Sequence, residues 1–528
     1  MNRDEALRAA QERHTLWDVL VIGGGASGLG AAVEAAARGY KTILLEQHDF
    51  AKGTSSRSTK LIHGGVRYLN QGNIPLVLES LRERGRLLHN APHLVHPLTF
   101  VIPAHHRWES LYYGFGLKLY DTLAGRWSLG RSRLLSRDAT VQALPTVATH
   151  HLSGGVRYFD GQFDDARLAI CLAQTLFDRG GVAVNYARVA RLIKENGRMK
   201  GVVAQDLEGG AEFELRARVV INATGVFTDS LRRLDEAGCL PLVTASQGAH
   251  VVVDRSFLPG ESALMIPKTS DGRVLFAIPW QDHVVIGTTD LPVDQVSLEP
   301  RPLGAEIQFI LETTARFLEN APTTRDIRST FAGLRPLVKR GATKSTAKLS
   351  RDHTIVVSPS GLVTLTGGKW TTYRKMGEDA IDQAAGVGEL ERRESITRMM
   401  RLHGTPIDGS EAPAPETAGA PPHWSAYGSD AEELRQWTRT TPSWNASLHP
   451  RLPYRAVEVI WAARREMART VEDVLARRIR VLFLDARLAV EMAPTVASLL
   501  KSELGRDDDW ARAQIVSFTQ LARGYLVP

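Results

Sequence analysis

"DVLVIGGGASGLGAAVEAAARGYKTILLE" spans Asp18–Glu46, and its reading decides the fold. Val19–Ile22 is a short apolar run of the buried-strand kind. Gly23, Gly25 and Gly28 follow at G-x-G-x-x-G spacing. "LGAAVEAAARG" then reads as an Ala-rich helix that stops at Gly39, and "KTILLE" reads as the next strand. In such a βαβ unit Gly23 permits the tight turn, Gly25 lets the backbone approach a pyrophosphate, and Gly28 lets helix and strand pack closely. The start of the helix, at Ala26 and Ser27, offers free N–H groups and a positive dipole end. Glu46 lies 18 residues past Gly28, at the end of the second strand, with Gln47 beside it. A carboxylate there accepts hydrogen bonds from a ribose diol and disfavours a 2′-phosphate, so NADP is not expected.

Further on, "VVINATG" (Val219–Gly225) is an apolar strand ending in A-T-G. Many FAD-binding chains return to the dinucleotide fold by this pattern. With the glycine motif near the N-terminus, it favours non-covalent FAD over NAD and adds Ala223, Thr224 and Gly225 to the expected cofactor contacts. Val189, in "VAVNYARVARLI", joins them.

Composition sets the limits. A chain of 528 residues is long enough for two or three domains. The two cysteines, Cys171 and Cys239, exclude a disulfide framework and a cysteine-based zinc site, and no metal is expected. The N-terminus lacks an apolar signal core, and the longest apolar stretch, Val19–Val33, is broken by glycines. A cytoplasmic protein is the expectation. The net charge is +7, but basic and acidic residues interleave, as in "RREMARTVEDVLARRIR" (Arg464–Arg480). That is the pattern of a solvated helix face, and nucleic acid is not an expected partner.

The expected architecture is α/β, or α+β taken whole. A discontinuous Rossmann-like FAD-binding domain comprises 1–85, 151–240 and 341–395. Short β-rich runs such as "AHVVVD", "RVLFAIPW" and "HVVIGTTD" predict an inserted antiparallel sheet, the substrate domain, from 86–150 and 241–340. A cleft between such units is a usual place for a ligand. A linker over 396–425, rich in Pro, Ala and Gly, leads to a C-terminal helical domain over 426–528.

"GTSSRSTKLIHGGVRYL" (Gly53–Leu69), "WQDHVVIGTTD" (Trp280–Asp290), "FAGLRPL" (Phe331–Leu337), "SRDHTI" (Ser350–Ile355) and "TGGKWTTYRKM" (Thr366–Met376) occur in this order. The set resembles the FAD-dependent, quinone-linked glycerol-3-phosphate dehydrogenases. The resemblance covers about Asp18 to Ala385 and continues more weakly beyond. It departs at Ser27, Trp370 and Ala332, where members usually carry Asn, Leu and Ser, and at "QGAH" (Gln247–His250), where they often carry K-G-S-H.

The resemblance implies oxidation of sn-glycerol 3-phosphate to dihydroxyacetone phosphate, by hydride transfer from C2 to flavin N5. It also implies a quinone as electron acceptor and peripheral attachment to a membrane. An oxidase using oxygen, or a related 2-hydroxy acid or amine oxidoreductase, is the alternative, and a homodimer is possible. Phosphate calls for cations, and bidentate Arg suits it best. The resemblance points to Arg335, Arg351, Arg67 with Tyr68, and Lys369. His63 and His250 stand equal as proton acceptors, and Arg335 is a candidate to stabilise the C2 alkoxide. Thr54, Ser55, Ser56, Lys60 and Leu61 resemble a second flavin-contacting segment. Gly368, Lys369, Trp370 and Thr371 open a helix, whose N–H groups with the lysine would stabilise negative charge on the reduced flavin. "WESLYYGFGLKLYDTLAGRW" (Trp108–Trp127) reads either as an interfacial helix or as a buried one. GGVRY occurs twice, at Gly64–Tyr68 and Gly154–Tyr158. The polar segment before the first copy favours Arg67 for substrate, whereas the Asp-rich turn after the second predicts that Arg157 pairs with a carboxylate.

Overall fold

The computed structural model describes residues 1–12, 14–70, 72–270, 272–338, 352–406 and 422–527, with the backbone alone for Arg67, Asn70 and Pro422. Val19, Leu20 and Val21 are wholly buried, so the strand Leu16–Ile22 is covered on both faces, as a central parallel strand must be. It lies in an eight-stranded sheet ordered His353–Val357, Val363–Gly367, Glu212–Asn222, Leu16–Ile22, Thr42–Leu45, Val182–Val184. The last five run parallel. Two further strands, Ala187–Glu195 and Arg198–Asp206, extend antiparallel from Glu212–Asn222. Helices Ala26–Ala37, Asp165–Asp178 and Tyr373–Val387 bury apolar faces in the core of this unit. The carboxyl ends of its central strands meet at Gly23, Ala223 and Gly367, the position at which open α/β sheets take ligands.

A second, ten-stranded sheet is built around Val243–Asp254, which pairs antiparallel with His283–Gly287, Leu291–Val293 and Ser329–Val338. All its pairings are antiparallel except that of Ser262–Ile266 with Val95–Ala104. Two segments expected in the nucleotide unit belong here. Gly154–Phe163 pairs with Val95–Ala104 over ten residues, and Leu61–Ile62 pairs on its other edge. Backbone hydrogen bonding overrides the sequence boundaries at 85 and 151, because a long strand buried on both sides must satisfy its whole ladder.

The expected linker is also corrected in its first part. Met400 and Leu402 are buried in the nucleotide unit's core, the Thr397 hydroxyl donates to Glu34, and the Leu402 N–H donates to Asn90 O at 2.9 Å. Residues 407–421 lie outside the described part. Beyond them, helices from Ala456 to Ala522 form their own core, which also takes in Val252, Trp280, Val285 and Phe331 of the second sheet, and Ala431–Thr440 packs in a smaller cluster with Trp424, Tyr427 and Trp461. Among the described residues, no helix is long and apolar enough to cross a membrane.

Candidate active site

A cavity of about 920 Å³ is lined by residues of both sheets. One half is formed by the glycine turn. The helix Ala26–Ala37 starts at Gly25, which has no side chain to cap it, and carries no acid in its first turn, so its positive end faces the cavity. Ser55 Oγ accepts the Ala26 N–H at 2.9 Å. Glu46 accepts from the Gly24 N–H at 2.6 Å and the His48 N–H at 2.8 Å. Burial raises its pKa, and these two bonds oppose the rise. A carboxylate has about four acceptor positions, so room remains for ribose hydroxyls. Gln47, Val189, Ala223, Thr224 and Gly225 complete this wall, and Thr54, Ser55, Leu61, Gly368, Lys369, Trp370 and Thr371 line the cavity further on. A helix start free of acidic residues, a carboxylate one strand away and a cavity of this volume fit a flavin dinucleotide.

Three expected contacts do not line it. A Cβ on Gly28 would lie 1.8 Å from Gly23 O, so this glycine serves packing beneath the turn. Ser56 is buried with its hydroxyl turned to Gly53 O at 3.5 Å. Lys60 is fully buried and turns away to Asp165 (2.7 Å) and Ser56 O (2.9 Å), among the rings of Trp280, Phe331 and Phe483. Burial lowers its pKa to about 8 against the pull of Asp165. The Asp165 carboxylate, 105 residues away and so invisible in the string TSSRSTK, is the reason the lysine faces inward.

The other half holds the chemistry-bearing side chains. Arg335, on the strand Ser329–Val338, donates to Thr289 O at 3.1 Å and Thr288 Oγ1 at 3.0 Å, and lies 3.6 Å from Asp290. A Cβ on Gly248 would sit 2.3 Å from its guanidinium, so this glycine leaves the arginine its path. Gly287 similarly makes room for the His250 ring. His250 stacks on Phe331 at 4.6 Å, shares a hydrogen bond with Thr59 Oγ1 at 3.0 Å, and has a buried Nδ1 without a partner among the described residues. Burial, then Lys60 and Arg335, push its pKa well below 6.5, so the imidazole is neutral at pH 7. Lys369 Nζ lies 4.3 Å over the Tyr68 ring and 3.5 Å from Ser80 Oγ. His63 lines the cavity, and its N–H approaches Thr371 Oγ1 at 3.3 Å. The backbone of Arg67 lies in the helix Val66–Asn70, its side chain is outside the description, and Arg351 lies outside the described residues.

Sequence reading missed Thr59, Thr288 and Asp290. For Thr288 and Asp290 the signal was present in "GTTD" (Gly287–Asp290), two hydroxyls and a carboxylate directly after a buried strand. The two GGVRY copies fold differently: the first is a glycine turn entering a helix, the second is part of the strand Gly154–Phe163. Arg157 does not pair with a carboxylate among the described residues. Its guanidinium lies over the Phe159 ring at 5.8 Å, because the strand directs it away from the aspartates that follow.

The chain matches the family described as FAD dependent oxidoreductase over residues 18–374, and the C-terminal domain of alpha-glycerophosphate oxidase over 396–511. It is 39% identical to the probable mitochondrial glycerol-3-phosphate dehydrogenase of Caenorhabditis elegans, over 94% of this chain and 72% of that one. With the mitochondrial glycerol-3-phosphate dehydrogenase of Homo sapiens it shares 38%, over 96% and 74%. Among solved structures, the glycerol-3-phosphate dehydrogenase from Bacillus halodurans complexed with FAD superposes with a TM-score of 0.81 at 29% identity, covering 100% of this chain and 98% of that one.

Proposed function

The chain belongs to the FAD-dependent glycerol-3-phosphate dehydrogenases, and from that we propose how its own residues oxidise glycerol 3-phosphate to dihydroxyacetone phosphate. When bound, FAD supplies the hydride acceptor. Lys369 and Tyr68 hold the phosphate. Arg335 and Thr288 orient the C2 hydroxyl, and the guanidinium stabilises the charge that grows on its oxygen. His250, neutral and lining the cavity, takes the hydroxyl proton at Nε2, the nitrogen whose hydrogen bond with Thr59 fixes the ring. His63 is left as a wall residue. The observation that carries this reading is the pairing of a restrained Arg335 with a neutral His250 in the cavity that also receives the nucleotide glycines. Anaerobic addition of glycerol 3-phosphate to the FAD-loaded protein should bleach the flavin absorbance. Bleaching by a 2-hydroxy acid or an amino acid instead would sink the proposal.

For the electrons, we propose a quinone taken up at a membrane surface to which the protein binds peripherally. The helix Arg107–Ala124 supports this: Leu117, Tyr120 and Ala124 are buried, while Trp108, Leu111, Tyr112 and Phe115 form an outward stripe 57–76% exposed. Arg107, Lys118, Arg126, Arg131 and Arg133 are exposed around it, as suits an anionic lipid surface. Peroxide yield in air, with and without a soluble quinone, separates this reading from an oxygen-consuming oxidase.

A further inference from the structure

The inward face of that same helix reaches the substrate turn, and the residues that make the contact have no part in the chemistry above. Tyr120 projects from the helix Arg107–Ala124 and is buried. Its hydroxyl accepts the Gly64 N–H at 2.9 Å and donates to Asp160 at 2.9 Å. Asp160 Oδ1 also accepts the Gly64 N–H, at 3.2 Å, and pairs with Arg84 at 2.6 Å. Tyr120, Asp160 and Arg84 are all buried.

The fit at the turn is close. A Cβ on Gly64 would lie 2.4 Å from both Tyr120 Oη and Leu81 Cδ2. Gly65 follows with φ +80°, and a Cβ there would meet the Tyr68 ring at 2.3 Å. The Tyr68 ring in turn lies beneath Lys369 Nζ. A continuous set of contacts therefore runs from Arg84 and Asp160, through Tyr120 and the Gly64 amide, to the ring and the cation that line the cavity.

We propose that Tyr120 and Asp160 are positioning residues for substrate binding, holding the Gly64–Gly65 turn so that Tyr68 and Lys369 meet the phosphate. The two GGVRY segments are thus partners: Gly64 of the first is anchored by Asp160, which follows the second. The proposal rests on the reading of Lys369 and Tyr68 as phosphate ligands.

Tyr120→Phe removes one hydroxyl and keeps the ring that packs the helix. A single hydrogen bond of this kind gives an expected rise in KM for glycerol 3-phosphate of about threefold to tenfold, with kcat within about twofold. The inhibition constant of inorganic phosphate should rise in parallel, and bound FAD should be unchanged. Asp160→Asn keeps an acceptor for the Gly64 amide, and its KM should rise less than that of Asp160→Leu. In a Lys369→Ala background Tyr120→Phe should add less than about twofold, because residues acting through one another are not additive. A KM unmoved in Tyr120→Phe, or an effect equally large with Lys369 absent, overturns the proposal. If Lys369→Ala alone leaves KM unchanged, the reading of that lysine fails, and the Tyr120→Phe comparison still decides whether the turn is positioned.

Discussion

Arg335 is held from three directions, by Thr288 Oγ1, Thr289 O and Asp290, and has the space that Gly248 leaves. Such restraint matters because a preorganised cation needs no rearrangement as charge develops on the substrate. Arg335→Ala should lower kcat/KM by about a hundredfold to a thousandfold while FAD stays bound at full occupancy. Arg335→Lys should recover little of this, since an ammonium cannot keep the two-pronged contact to Thr288 and Thr289. Steady-state kinetics beside flavin absorbance of the purified variants checks both, and loss of FAD together with activity would reassign Arg335 to structure. The arginine was legible in the sequence because "GLRPL" puts a cation in apolar surroundings. Its three partners were not, because Thr288 and Thr289 lie 47 and 46 residues from Arg335 in the chain and reach it only where Leu291–Val293 and Ser329–Val338 both pair with Val243–Asp254.

Between elements, ionic contacts do the joining. Arg480, from the helical region, donates to Asp165 and to Ser56 O at 2.9 Å each, beside the buried Lys60. Asp165 also accepts from Ser58, so one carboxylate ties the flavin-contacting segment to two distant parts of the chain. Arg480→Met should cost about 3–5 kcal/mol in urea unfolding, because it removes a partner from a buried charge. His403 acts similarly at the surface, bonded to Asp178 at 2.8 Å and Asp430 at 2.9 Å. Burial opposes its charge, but these carboxylates raise its pKa from 6.5 to about 9. A pKa raised on folding gives stability that is complete below about pH 6.5 and lost as pH rises through 9. The Tm advantage of the natural chain over His403→Gln should therefore be largest at pH 6 and shrink by pH 9.5. An advantage that does not change with pH would show that the charge contributes nothing.

At the scale of the whole molecule, Trp108, Leu111, Tyr112 and Phe115 expose four large apolar side chains on one helix, a contiguous arrangement that marks a binding surface. Paired replacement, Trp108→Ser with Phe115→Ser, should weaken co-sedimentation with anionic vesicles by about tenfold or more, since each ring contributes its full buried area to lipid. Anaerobic bleaching by glycerol 3-phosphate should persist in that variant. Retained vesicle binding would move the membrane surface elsewhere on the protein.

Local patterns by themselves determined a good deal. The G-x-G-x-x-G turn, the Ala-rich helix, the Glu46 position and the returning A-T-G strand are contained in short windows, because their physics is local: a turn, a helix end, a strand period. The family was legible because motifs contained in short windows, such as "FAGLRPL" and "TGGKWTTYRKM", resemble those of its members. Only the tertiary structure decided that Gly154–Phe163 and Leu61–Ile62 join the second sheet, that Met400 and Leu402 pack into a core, that Lys60 turns inward, and that Arg157 stays off the aspartates. It also gave identical GGVRY letters two conformations. Each of these outcomes rests on partners remote in the chain, and hydrogen-bond ladders and burial, unlike turns and helix starts, are satisfied only when those partners meet.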